Sequence, residues 1–224
     1  MSLTALPRPS HLPRRDDESR EQLARTALRA RPLVLAGERV VPVAGPLGAL
    51  LPGGGVQRGT VVAVDGSAGA GATSVALQLA AAATTEGEWA VGVELDAGRA
   101  GSLGGLAAGE VGVALERFAV VRRVPPARWA AVLAALIDGV GLVATEVPVH
   151  ARAGDARRLA ARARERGVVL VALGAWPAEA ALRLRAEGST WTAPELRPGL
   201  LGTRELHVCV DGRGAVARSS VAIA

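Results

Sequence analysis

Apolar residues along the chain fall into short unbroken runs, and between these runs they recur every third or fourth position. Thr60 to Asp65 (TVVAVD), Trp89 to Asp96 (WAVGVELD), Gly141 to Val147 (GLVATEV) and Val168 to Leu173 (VVLVAL) read as strands of the buried, parallel-sheet kind. Phe118 to Val121 reads as a shorter one. Between them, Ala72 to Glu86, Pro126 to Asp138 and Asp155 to Arg166 predict helices, and Gly167 ends the last. Strands alternating with helices argue for an α/β domain with a mostly parallel sheet flanked by helices. After Gly174 the period shortens to two: ALRLRAE, RELHVCVDG and AVARSSVAIA predict strand pairs that extend the sheet antiparallel. A hairpin is expected about residues 212 to 214, with Leu206, Val208 and Val210 on one face and Glu205, His207 and Cys209 on the other. Its last strand becomes a sheet edge, and this hairpin or the Trp191 stretch leading into it is the expected surface for a protein partner; the alternative is that the strands only close the sheet and an N-terminal helix does the docking.

The N-terminal region has a different texture. Residues 1–15 are rich in Pro and Arg and read as a loose arm. Asp16 to Arg31 reads as a short docking helix with acids in its first turn and arginines in its last. The expected organisation is therefore an arm and helix over 1–31 and one domain over 32–224. Within that domain a core of about 39–174 opens on short β-like runs from Arg39, and a β extension follows over 175–224.

Composition narrows the function classes. Half of the residues are hydrophobic but only 2% aromatic, so the core is expected to be built from Ala, Val and Leu. Trp89 and Trp129 lie in apolar patterns and are expected in it, Trp176 is expected to pack after its strand, and Trp191 to sit at a surface. The net charge is +5 and every cation is Arg, with no Lys anywhere in the chain. That is the codon bias of a GC-rich genome, so arginine abundance alone is weak evidence for an anionic partner. One cysteine and three histidines exclude a disulfide framework within the chain and make a metal centre unexpected. Cys209 is expected to be a buried small hydrophobe. No secretory h-region and no membrane-spanning apolar stretch is legible, so a cytoplasmic protein without membrane contact is expected.

The candidate chemistry lies in GSAGAGAT, residues 66 to 73. A phosphate-binding loop reads G-x-x-x-x-G-K-[ST] between a strand and a helix. Gly66 and Gly71 have that spacing, Gly69 adds a third flexible position, and Thr73 and Ser74 supply hydroxyls. Position 72, however, is Ala instead of Lys. The segment Gly45 to Ala80, with its leading leucines and Gly-Gly-Gly-x-x-x-Gly run into the loop strand, resembles the RecA-type recombinase core. More closely it resembles the ImuA (SulA-like) accessory proteins of bacterial mutagenesis cassettes.

The resemblance implies a RecA-like fold. It implies a place in translesion synthesis and the DNA damage response beside an ImuB-like Y-family protein and an error-prone replicative-type polymerase. It also points to the positions where hydrolysis would be assembled. Ala72 removes the cation, Gly98 stands where an Asp-Ala-Glu pattern would place the glutamate, and Thr145 occupies the magnesium-shell position with Glu146 one residue on. Losing all three implies a pseudo-ATPase with a vestigial site at Gly66, Gly69, Gly71, Thr73 and Ser74. No cofactor is expected beyond weak ATP or phosphate binding through the loop amides.

Contact with single-stranded DNA would fall, by the same resemblance, in the segments after the fourth and fifth core strands, with His150, Arg152 and Trp176 as candidates. Arg158, Arg162 and Arg166 align along one helix face and either track a phosphate backbone or form a solvated face. The interleaved Asp155 and Glu165 favour the second. Arg152, Arg158 and Arg162 are the DNA-contact candidates. Two further readings stay open: a divergent DNA-stimulated ATPase of the RecA type that borrows its cation from a neighbouring subunit, and a single-stranded DNA-binding module. No Ser/His/Asp set or carboxylate pair has a catalytic spacing.

Overall fold

A computed structural model of the chain describes residues 40–96, 103–191, 204–212 and 218–223, the last stretch and Gly212 as backbone only. All of them belong to one compact unit, Arg39–Ala224. The arm and helix expected within 1–31 lie outside the described residues.

The unit opens on a small antiparallel pair, β1 (Val40–Pro42) with β2 (Gly55–Gln57), enclosing the short helix α1 (Gly45–Leu50). Then β3 (Val61–Gly66), β4 (Ala90–Leu95), β5 (Phe118–Val124), β6 (Leu142–Glu146) and β7 (Val169–Leu173) alternate with α2 (Ala72–Thr85), α3 (Gly105–Glu110), α4 (Trp129–Ile137) and α5 (Ala153–Arg166). Three strands follow without helices: β8 (Leu182–Trp191), β9 (Arg204–Gly212) and β10 (Arg218–Ile223). The main sheet has eight strands in the order β10-β9-β8-β3-β7-β6-β4-β5. From β8 to β5 every pairing is parallel, whereas β9 runs antiparallel to both β8 and β10. The protein is thus an α/β domain with a mostly parallel sheet and an antiparallel C-terminal extension, as the periodicities predict.

Each face of the sheet has its own core. One holds α2, with the side chains of Val62, Val64, Ala144 and Leu173; the other holds α4 and α5, with Ala63, Val143 and Ala172. Right-handed crossovers require this division. The chain leaves β3 toward one edge through α2 and returns to β7 through α4 and α5, so helices on outward and inward paths lie on opposite faces. Most of α2 is buried, and its run of small residues lets the backbone lie close to the strands. On α5 only Ala156, Leu159 and Ala163 are buried, a narrow stripe beneath an exposed basic face.

Two expectations for side chains are corrected. Trp89 is 49% exposed, not core, because it stands one residue before β4 begins, at the rim of the sheet. Cys209 is half-buried: it alternates away from the buried Leu206, Val208 and Val210, onto the sheet's less covered face. Trp129 and Trp176 are buried and meet edge-to-face at 6.2 Å between ring centroids. The β9–β10 ladder runs from Arg204↔Ile223 to Cys209↔Arg218, so the expected hairpin forms; its turn, within 213–217, lies outside the described residues.

Candidate functional site

The sheet order places β3 where outgoing connections diverge: β3 leads toward β4 on one side, and neighbouring β7 leads toward β8 on the other. In open α/β sheets such a point opens a crevice beyond the carboxyl ends of the strands. A cleft of about 1120 Å³ lies there, bounded by Gly66 and Thr73 after β3, Leu95, Trp129, Glu146 and the Pro148–Arg152 turn.

The glycine loop keeps the shape of a phosphate turn. Gly69 and Gly71 have φ of +80° and +107°, values that side-chain-bearing residues rarely adopt, and Gly71 caps α2 without a side-chain hydrogen bond. Packing against the loop nevertheless comes from the chain itself. A Cβ on Gly71 would lie 2.1 Å from Leu206 Cδ2 of β9, and one on Gly66 would lie 2.9 Å from the Ala186 carbonyl oxygen of β8. Gly66 is therefore required by the close approach of the β8 backbone, and Gly71 by its φ of +107°, with Leu206 packed against it. Ala72 is buried at 4% exposure, in the space from which a lysine would have to extend.

A cation does reach this loop, from a distant part of the sequence. Arg204, the first residue of β9, donates from Nη1 to Ser74 Oγ at 3.1 Å and from Nη2 to the Gly69 carbonyl at 3.3 Å. Its guanidinium carbon lies 5.4 Å from the ring centroid of Trp191, its cross-strand partner on β8. The pairing depends on a bulge. Ala186 pairs with Val208 and Gly188 with His207, so Glu187 is an inserted residue that reverses the facing of everything after it. Strict alternation from Leu182, Leu184 and Ala186 would have turned Trp191 to the opposite face.

On β6 the expected roles of Thr145 and Glu146 are corrected. Thr145 is buried on the α4 side, where its Oγ1 accepts from Trp129 Nε1 at 2.9 Å and donates to the Glu146 carbonyl at 2.9 Å. It faces away from α2. Glu146 pairs with Leu173 and shares its face, the face of α2, and lines the cleft with Thr73. Its Oε2 accepts the Leu95 N–H at 3.0 Å. The β4–β6 ladder stops at Val93↔Thr145, so this carboxylate supplies the acceptor that the ladder no longer offers. Glu94, also buried, accepts the Leu103 N–H at 2.9 Å and lies 3.6 Å from Arg122. Gly98 lies outside the described residues.

The DNA-contact candidates are not gathered into one basic patch. Arg158 pairs with Asp155, and Arg162 makes a two-pronged pair with Asp138 that Arg166 joins at 3.0 Å. The hydrogen bond from Arg162, with the charges of both arginines, holds the Asp138 carboxyl below the usual carboxylate range. Arg152 stands apart at the exposed rim of the cleft beside His150. Trp176 is buried and donates to the Glu179 carbonyl, so it offers no stacking face.

The family follows from the segment that contains this cleft. A model of the MT3502 N-terminal domain matches residues 49–178, more than half of the chain. The chain belongs to the MT3502 N-terminal domain family. No curated protein matches it. The MT3502 N-terminal domain match spans the glycine loop and the strands β3 to β7, and ends before β8 begins. Trp191 and Arg204 thus lie beyond the matched segment. The match carries no activity and no link to RecA- or ImuA-type proteins. No helix among the described residues is long and apolar enough to cross a membrane.

Proposed function

We propose that the protein is a non-catalytic accessory protein: an α/β platform, related in design to the RecA core, that has exchanged hydrolysis for protein binding. The observation that carries this reading is the covering of the glycine loop by its own sheet extension, with Leu206 against Gly71 and Arg204 on Gly69 and Ser74. Phosphoryl transfer depends on a mobile cation, a base and a metal ligand converging on the terminal phosphate. Here the position after Gly71 carries a buried alanine, and the acid nearest the loop is engaged by a backbone amide.

By the resemblance of Gly45 to Ala80 to ImuA-type proteins, the partner is an ImuB-like Y-family protein and, through it, an error-prone replicative-type polymerase. The docking surface is the outer edge of the sheet at β10, which ends the strand order among the described residues. Co-purification with the ImuB-like protein of the same organism tests this reading. A complex that survives gel filtration is expected, and absence of any complex at low salt contradicts it.

One observation favours a second reading, a divergent DNA-stimulated ATPase. Glu146 lies on the loop's face of the sheet and lines the cleft with Thr73, so an acid is present where a metal shell would need one. Steady phosphate release in the presence of single-stranded DNA would favour it over the accessory reading.

A further inference from the structure

Among the described residues Arg204, like Arg117 and Arg183, makes no ion pair with a carboxylate, whereas Arg58, Arg122, Arg158, Arg162 and Arg166 each make one. Among the same residues Arg204 alone has a buried side-chain nitrogen without a hydrogen-bond partner. Its two hydrogen bonds go to a hydroxyl and a carbonyl oxygen, and its Nε–H is buried with no acceptor among those residues. A partly desolvated guanidinium without a counter-charge is costly, and an anion at that position would offset the cost. Each Nη has a second N–H beyond the one already used, so the outer end of the fork can still donate.

The surroundings specify which anion. The guanidinium lies at the first turn of α2, a 14-residue helix whose leading N–H groups have no intrahelical acceptor. Ser67, Ala68 and Gly69 of the loop are exposed, and a Cβ on Gly69 would meet nothing within 4 Å, so this outer side of the loop is open. Against Arg204 stands Trp191, 49% exposed and aimed here only because of the bulge at Glu187. An arginine fork beside a half-exposed tryptophan, at the first turn of a helix, suits a phosphate ester that carries a planar base.

We propose that Arg204 and Trp191 form a binding site for a nucleotide-type phosphate on the outer side of the glycine loop, with Arg204 holding the phosphate and Trp191 stacking on the base. Neither Arg204 nor Trp191 lines the cleft bounded by Gly66 and Thr73, and the site involves no bond breaking. It goes beyond the accessory reading, and phosphate release bears on that reading alone.

The source of the phosphate is either a free nucleotide or a nucleic-acid strand, and two titrations of the full chain separate them. One uses a labelled oligo-dT strand followed by polarisation; the other uses ATP followed by tryptophan fluorescence. Binding of at least one ligand is expected, weakened roughly tenfold by R204Q, a hydrogen bond to a charged group being lost. W191A is expected to weaken it by a similar factor, through loss of stacking, while W191F, which keeps a ring, stays near wild type. With the strand, R204Q also reduces the slope of log affinity against log salt by about 0.7. Trp191 is half exposed, so its variants remain informative if R204Q fails to fold. Absence of binding to both ligands at low salt overturns the proposal, and so does binding that W191A leaves unchanged.

Discussion

On α5, Arg158 and Arg162 lie one turn apart on an exposed face, and each is matched by a carboxylate, Asp155 and Asp138. On β9, Arg204 is held between a glycine loop and a tryptophan with no carboxylate partner among the described residues. The first group is visible as a helical stripe, and its charge is compensated within the fold. The second is a single residue in a strand, and its charge is left over. Net basicity and periodicity point to the helix arginines, whereas the proposed site rests on an arginine that neither feature marks. A cation that is already paired contributes little to an outside ligand, whereas one without a counter-charge is available to it.

The sharpest test of this contrast lies beneath Arg204. Gly71→Val forces a β-branched side chain into φ +107° and onto Leu206 Cδ2, 2.1 Å from where the Cβ would stand. Backbone strain and overpacking together should cost roughly 2–6 kcal/mol, read from denaturant unfolding. A Gly71→Val protein as stable as wild type would mean that β9 does not clasp the loop. Leu206→Ala approaches the same contact from the other side. It removes a fully buried side chain and should cost about 2–5 kcal/mol without changing charge.

Weaker effects separate the two kinds of arginine. Asp138→Asn should lower the melting temperature modestly at neutral pH, since the pair is exposed and screened. Its pH dependence has a definite sign. The folded-state pKa of Asp138 is lowered, so its contribution is present above the ordinary value of 3.8 and is lost as pH falls through the lowered one. Wild type and Asp138→Asn should therefore converge in stability as the solution is acidified below that value. Arg204→Gln should shift the melting temperature less than Asp138→Asn does, because the two hydrogen bonds it forfeits are offset by relief of an uncompensated charge. A larger loss in Arg204→Gln would make this arginine a structural clasp. Thr73→Ala, at a half-buried position with no structural partner implied by the accessory reading, should have the smallest effect of all on unfolding.

Much of the fold is legible in the chain because its strands are continuous apolar runs and its helices are bounded by Gly and Pro. The strand-loop-helix around Gly66 to Thr73, the alternation up to Leu173 and the antiparallel extension all follow from local pattern. The short helices α1 and α3 do not: each has six residues and contains glycine, so neither completes a recognisable period. Trp89 is misread because an apolar run predicts a strand but not whether its first residue passes beyond the sheet's cover. The assignment of Thr145 and Glu146 to opposite faces is legible; which face carries α2 is not, since that depends on the handedness of crossovers further along the chain. The Arg204–Trp191 site was hidden twice over. Arg204 is 135 residues from Gly69, and the bulge at Glu187 reverses the alternation that would otherwise locate Trp191.

On the accessory reading, the glycine loop packed against β9 no longer turns over nucleotide. Phosphate release by the purified full-length protein, with ATP, magnesium and single-stranded DNA, tests it most directly. Wild type is expected to release no more phosphate than a protein-free blank, with Thr73→Ala indistinguishable from it. Sustained release by wild type that Thr73→Ala abolishes would show a working ATPase instead.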